Sequence, residues 1–164
     1  MVKIRSASRQ DGNAIWAIFE SVAATGDAFV FEADTPKEEA LAFWFQAGSH
    51  AYVAENAGKV VGSYLIKPNQ PGRGSHVANA AYMVAPTSRG LKIGREMGKH
   101  SLREAARLGF RAMQFNIVVS SNEPAVRLWQ SLGFEIVGTL PGAFRHADKG
   151  FVDAYVMYRI LDAA

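Results

Sequence analysis

The apolar positions of the chain change period several times, and each change marks an element. Alternation over residues 2–6 predicts a short first strand. Ser8 and Asp11 then stand at capping-box spacing, ahead of Ile15, Ile18, Phe19 and Val22 on one face of a helix that Gly26 ends. Thr35-Pro36-Lys37-Glu38 predicts a second helix with a threonine N-cap, proline at its first position and an acidic box partner. Leu41, Trp44, Phe45 and Gly48 give that helix its inner side. Two apolar runs, 51–56 and 59–66, flank a short turn containing Gly58 and predict an antiparallel hairpin. Residues 68–74 read as a loop, and 76–84 return as a strand that Pro86 stops. A helix follows Arg89, with Ile93, Gly94, Met97, Gly98, Leu102 and Ala105 on one side; its glycines predict close packing on the sheet. Residues 111–119 form a strand. Ser121-Asn122-Glu123-Pro124 opens a short helix with Ala125, Leu128, Trp129 and Leu132 inward, which Gly133 ends, and 134–139 and 151–161 alternate as two last strands.

Strand, two helices, three strands, helix, strand, helix and two strands predict an α/β fold of the α+β kind. Its sheet is mixed but largely antiparallel, with helices on both faces. The 164 residues suit one domain, and no linker or low-complexity stretch divides them. A hydrophobic content of 49% without a long apolar run predicts neither a transmembrane helix nor a secretory leader, and no membrane partner. The chain has no cysteine, which excludes disulfides, thiolate metal sites and a cysteine nucleophile and makes the cytoplasm the expected compartment. His50, His76, His100 and His146 are scattered with no His-Glu-x-x-His, so no metal site is expected. A net charge of +3, interleaved with acids, does not point to nucleic acid.

The stretch 82–100 carries the clearest chemistry. A strand ends at Val84 against the start of a helix, where unpaired N–H groups and about half a positive charge attract anions. Arg89, Lys92 and Arg95 add side-chain charge, and Gly90 and Gly94 remove Cβ atoms that would hold a ligand off the backbone. The stretch reads as a diphosphate site; the plainer alternative is an ordinary strand-to-helix turn with a solvated basic face.

Arg89-Gly90-Leu91-Lys92-Ile93-Gly94 resembles the central motif of the GCN5-related N-acetyltransferases, Arg/Gln-x-x-Gly-x-Gly/Ala, which cradles the pyrophosphate of acetyl-coenzyme A. Lys92 replaces the family's first glycine. At positive φ it would cost about 1–2 kcal/mol, and it is read here as already helical, where no such penalty arises. A second segment, Asn122-x-x-Ala125-x-x-Leu128-Trp129-x-x-Leu132-Gly133-Phe134, resembles the Asn-x-x-Ala-x-x-Leu-Tyr-x-x-Leu-Gly-Phe segment of the same family. The two occur in the family's order, and the resemblance spans nearly all of 1–164 as a single acetyltransferase domain. It implies a seven-stranded sheet whose middle strands splay to admit the pantetheine arm. It also implies acetyl-CoA as co-substrate, bound by Val84, Arg89, Gly90, Leu91, Lys92, Ile93, Gly94, Arg95, Asn122 and Trp129, with the Val84 N–H polarising the thioester carbonyl.

On the acceptor side, Phe29-Val30-Phe31-Glu32 before Thr35-Pro36 resembles the phosphinothricin-type acetyltransferases, in which this segment borders the acceptor pocket. Phe29 and Phe31 would then touch substrate; the alternative is that they plug the core. Asn79-Ala80-Ala81-Tyr82, Phe115-Asn116-Ile117-Val118, Arg127-x-Trp129-x-Ser131-Leu132 and Val152-Asp153-Ala154 resemble the yeast acetyltransferases that detoxify proline analogues. The resemblance assigns Asn79 and Asn116 to positioning a small acceptor or a water; the alternative is two amides satisfied within the sheet. Many relatives carry a glutamate base on the strand ending at Val84, and none stands there. Their tyrosine acid is replaced by Trp129, whose indole N–H only donates. A water held by Asn79 and Asn116, His76 or Tyr82 is left to take the amine proton. Without a cysteine or Gly-x-Ser-x-Gly, direct attack by the amine is expected rather than an acetyl-enzyme. The expected activity is acetyl transfer to a small-molecule amine or amino acid, with room for a homodimer. The alternative is a non-catalytic acyl-CoA sensor.

Overall fold

A computed structural model describes residues 1–162, and the elements follow the predicted order. They are β1 (Lys3–Ser6), α1 (Gly12–Ala23), α2 (Lys37–Trp44), β2 (His50–Asn56), β3 (Lys59–Pro68), β4 (Val77–Val84), α3 (Ile93–Arg107), β5 (Ala112–Val119), α4 (Glu123–Ser131), β6 (Glu135–His146) and β7 (Gly150–Ile160). Seven strands form one sheet in the order β1-β2-β3-β4-β5-β7-β6, antiparallel throughout except where β4 meets β5. The β2–β3 hairpin turns on Ala57 and Gly58, both at positive φ, as a two-residue turn matched to strand twist requires.

Alternation along the strands divides the interior into two cores. Tyr52, Tyr64, Ile66, Ala78, Met113 and Phe115 face α3 and α4, where Ile93, Met97, Ala105, Trp129 and Leu132 are buried against them. Val53, Leu65 and Met83 face the other way, under Ile15, Phe19, Ala40 and Trp44 of α1 and α2. Trp44 is fully buried; its indole N–H donates to Ser63 Oγ at 2.8 Å, and Ser63 donates to the Tyr52 carbonyl at 2.7 Å. A polar chain therefore pins α2 to the sheet without leaving a buried donor unmet.

Several local expectations are corrected. Thr35 does not cap α2: its hydroxyl donates to the Glu32 carbonyl at 2.6 Å, and Pro36, extended at ψ 148, takes the N-cap place. The Thr35 hydroxyl is spent on the turn that precedes the helix, where the Thr35 N–H also donates to the Glu32 carbonyl at 3.1 Å. Gly48 lies exposed beyond the end of α2 and has no part in its buried side. The strand predicted over 134–139 runs on to His146 along the edge of the sheet.

The glycines of α3 do not set its distance from the sheet. A Cβ on Gly98 would stand 2.6 Å from Leu132 Cδ1 and 3.2 Å from Trp129 Cζ3, so Gly98 admits the end of α4. The close approach to the sheet comes from Gly62 on β3, where a Cβ would meet Met97 and Ile93 side chains at 3.0 and 3.1 Å. Helical periodicity shows which face of α3 turns inward, but not which neighbour each small residue meets.

Candidate active site

The sheet opens between β4 and β5. Their parallel ladder consists of Val77 with Ala112 and Ala78 with Met113, after which the strands part. Beyond the parting, β5 bulges: Asn116 and Ile117 fit between the pairs Phe115–Met157 and Val118–Tyr155, turning the strand toward the gap. The Ala85 N–H donates to the Val61 carbonyl at 2.8 Å. Successive residues of an antiparallel strand turn their N–H groups to opposite sides, so those of Val84 and Tyr82 point away from β3 and into the gap.

A cavity of about 400 Å³ passes through this opening. One end is walled by Phe29, Val30, Phe31 and Phe43, the middle by Asn79 to Tyr82 and Phe115 to Val119, and the far end by Asn122, Ala125 and Trp129. Ala81 belongs to the core under α1 and α2, and Tyr82 to the core under α3, so the cavity joins the two faces of the sheet. Phe29 and Phe31 line the cavity and also pack on Phe19, with ring centroids 5.4 and 5.0 Å away.

Amides occupy the parting point. Asn79 Nδ2 donates to the Gln114 carbonyl at 3.0 Å, taking the place of a ladder bond where the strands separate, and its Oδ1 has no donor among the described residues. Gln114 Nε2 donates to Asn116 Oδ1 at 3.0 Å, and Asn116 Nδ2 donates to Asn69 Oδ1 at 2.7 Å. The strands thus bring Asn79 and Asn116 to one cavity, Asn79 tied by one bond to its surroundings and Asn116 by two.

Of the alternatives for taking a proton, His76 is exposed and stands outside the cavity lining. Tyr82 turns its ring to the cavity and its hydroxyl to Ser101 Oγ at 2.6 Å; since Ser101 donates to the Gly98 carbonyl, the Tyr82 proton goes to Ser101. Burial also pushes the Tyr82 phenol well above its ordinary range. Among the described residues Tyr82 is the one titratable side chain in the lining, so they present no ready base there. Trp129 is buried in an aromatic cluster, with centroids 4.7 Å from Tyr82 and 4.6 Å from Phe115.

At the start of α3, the first bond into the helix runs from the Glu96 N–H to the Lys92 carbonyl at 3.1 Å, and no backbone carbonyl accepts from Ile93, Gly94 or Arg95 N–H. Lys92 is not helical. It caps α3 at φ 58 and ψ 19, the left-handed conformation the replaced glycine would adopt easily, so the penalty expected to be absent is present. Gly90 is also left-handed, at φ 84. A Cβ on Gly94 would meet only ordinary contacts, Leu128 at 3.6 Å and Val84 at 3.9 Å, so packing within the chain does not require this glycine. Arg89, Leu91 and Lys92 are exposed, Ile93 is buried, and Arg95 donates to Ser131 Oγ at 2.9 Å. Asn122 caps α4, accepting from the Ala125 N–H at 3.4 Å. Beside it, Ser121 Oγ is buried without a partner.

The family model described as Acetyltransferase (GNAT) family matches residues 15–134. The chain belongs to that family. It is 40% identical over 98 residues to N-acetyltransferase aca1 of Schizosaccharomyces pombe, a match that covers 59% of this chain and 47% of that protein, so the chain spans about half its length. A GCN5-related N-acetyltransferase from Kribbella flavida superposes with a TM-score of 0.93 at 41% identity, over 98% of both chains. A GNAT superfamily phosphinothricin acetyltransferase from Sinorhizobium meliloti, solved in complex with acetyl-CoA, has the same fold, with a TM-score of 0.87 at 23% identity over 98% of this chain and 88% of that one. Within this GNAT domain the missed features are the walls at Ala80, Val118 and Val119 and the cation Lys67 beside Asn79. Cavity walls built from Ala and Val leave no sequence signal. Lys67 is visible only once β3 and β4 are in register.

Proposed function

We propose that the protein is an acetyl-CoA-dependent N-acetyltransferase that transfers acetyl directly to the amine of a small molecule, an amino acid or analogue. The observation that carries this reading is the cavity through the β4–β5 opening, lined by Tyr82, with the N–H groups of Val84 and Tyr82 turned away from β3 toward the gap. The residues fit the co-substrate: free N–H groups of Ile93, Gly94 and Arg95, the open space over Gly94, and the charges of Arg89, Lys92 and Arg95 suit a diphosphate. Ile93 anchors the turn by its burial, Leu91 is exposed on it, Gly90 gives it its left-handed bend, and Asn122 and Trp129 wall the path of the arm. When bound, acetyl-CoA supplies an acyl thioester.

The Val84 and Tyr82 N–H groups then polarise the thioester carbonyl as an oxyanion hole does. Asn79 Oδ1 accepts a hydrogen bond from the acceptor's N–H, while Asn116 fixes the far wall and Phe29 and Phe31 close the mouth. With no base in the lining, the amine enters uncharged and its proton leaves to water held at the amides. The thiol needs little help to depart, because its ordinary pKa of about 8.5 lies near neutrality. Rate then comes mainly from placing two substrates. The test is free-thiol release from acetyl-CoA with a panel of amines and amino acids, with the product confirmed by mass. Amine-dependent thiol release and an N-acetylated product are expected. Tight acetyl-CoA binding without turnover of any amine would instead make the protein an acyl-CoA sensor.

A further inference from the structure

The cavity lining contains aromatic rings, aliphatic side chains and three asparagines, but no charged residue. One cation stands at its edge. Lys67 on β3 lies directly across from Asn79 on β4, and alternation places both side chains on the α1–α2 face with Leu65 and Ala81. Its Nζ lies 5.6 Å from the centroid of Phe43, a ring that walls the cavity. The aromatic face orients the ammonium without neutralising it. Among the described residues Lys67 makes no ion pair. The neighbouring pair, Glu32 with Arg145, is closed on itself across the loop beside Phe31. Lys67 is half-buried, so water screens it less than a free surface lysine.

We propose that Lys67 is a specificity-determining residue that binds the carboxylate of the acceptor, so that the preferred substrates are amino acids with apolar side chains rather than simple amines or polyamines. The proposal rests on the acetyltransferase reading above and names its substrate class. An acceptor whose carboxylate meets Lys67 places its amine, one carbon removed, beside Asn79 Oδ1, and its apolar side chain faces Phe29, Phe31 and Phe43. A second positive charge on an acceptor is repelled by Lys67 and finds no carboxylate in the lining.

The experiment compares leucine, leucinamide and 3-methylbutylamine as acceptors for the parent, Lys67→Met and Lys67→Arg, with acetyl-CoA saturating. Each acceptor is compared with itself across variants, which removes differences in amine basicity. Lys67→Met is expected to lower kcat/KM for leucine about 10- to 100-fold, mostly through KM, as for loss of one charge-assisted bond. Leucinamide should change by less than threefold, and Lys67→Arg should recover most of the leucine activity. Equal losses for leucine and leucinamide would show that Lys67 only supports Phe43 and would overturn the proposal. Turnover of neutral amines without turnover of leucine or any other amino acid would overturn it while leaving acetyl transfer intact. No turnover of any amine, with acetyl-CoA bound, would overturn the acetyltransferase reading itself.

Discussion

Two regions of the molecule are built by different means. The turn that opens α3, residues 89–95, stands outside the cavity lining and is a backbone site: it presents unpaired N–H groups and exposed basic side chains around two glycines. The acceptor end of the cavity is a side-chain site, assembled from the 29–31 loop, Phe43 of α2, Lys67 of β3, Asn79 of β4 and Asn116 of β5. A backbone site demands particular residues at fixed spacing, because only some residues permit its conformation. A side-chain site can be rebuilt residue by residue for another ligand without disturbing the fold. On the proposed function, the backbone site would take the co-substrate and the side-chain site would choose the acceptor.

The largest effect is expected at Trp129, which walls the far end of the cavity. Trp129 touches Tyr82, Phe115 and Gly98 at once, and Trp129→Ala should cost about 3–5 kcal/mol of stability in chemical denaturation. Trp129→Phe should keep the pH profile of turnover and slow acetyl transfer by less than about 100-fold, since the indole is a wall and not an acid. A loss of 1,000-fold or more in a folded protein that still binds acetyl-CoA would give the indole a part in the chemistry.

Next in size is Gly94→Asp. Its Cβ fits the free protein, with Leu128 at 3.6 Å as the nearest atom, so stability should hardly change. Acetyl-CoA affinity by titration calorimetry should fall about 100-fold, from lost space and an anion facing a diphosphate. Binding as tight as the parent's would mean that the diphosphate sits elsewhere.

Lys92→Gly is the smallest and the most discriminating, because two quantities should move in opposite directions. Relief of the left-handed lysine should raise stability by about 0.5–1 kcal/mol after the unfolded chain's added freedom is counted. Loss of the ammonium should weaken acetyl-CoA binding about fivefold. A more stable protein with unchanged affinity would show that the lysine is merely tolerated there.

The same division explains what could be read from the sequence. Order and type of the strands and α-helices were legible because the periods of 2 and 3.6 are strong in this chain, and Arg89-x-x-x-x-Gly94 with Asn122 to Phe134 marked the start of α3 and the length of α4. The conformation of Lys92 was not, since a side chain's identity gives a cost for positive φ but not whether the turn incurs it. Gly98 facing α4 and Gly62 facing α3 depend on which elements become neighbours, which spacing along one helix does not contain. Asn79 and Asn116 could be picked out on their strands, yet their bonds to Gln114 and Asn69 and the nearness of Lys67 come from strand register and the β5 bulge.

The central claim is that cofactor and acceptor are held by separable regions of the molecule. Steady-state kinetics with both substrates varied, on Asn79→Ala and Asn116→Ala, together with acetyl-CoA affinity by calorimetry, tests it most directly. The account predicts weakened acceptor binding or reduced turnover in both variants, with acetyl-CoA affinity within a few-fold of the parent. Unchanged acceptor kinetics in both, or a loss of acetyl-CoA affinity as large as the loss in acceptor kinetics, would contradict it.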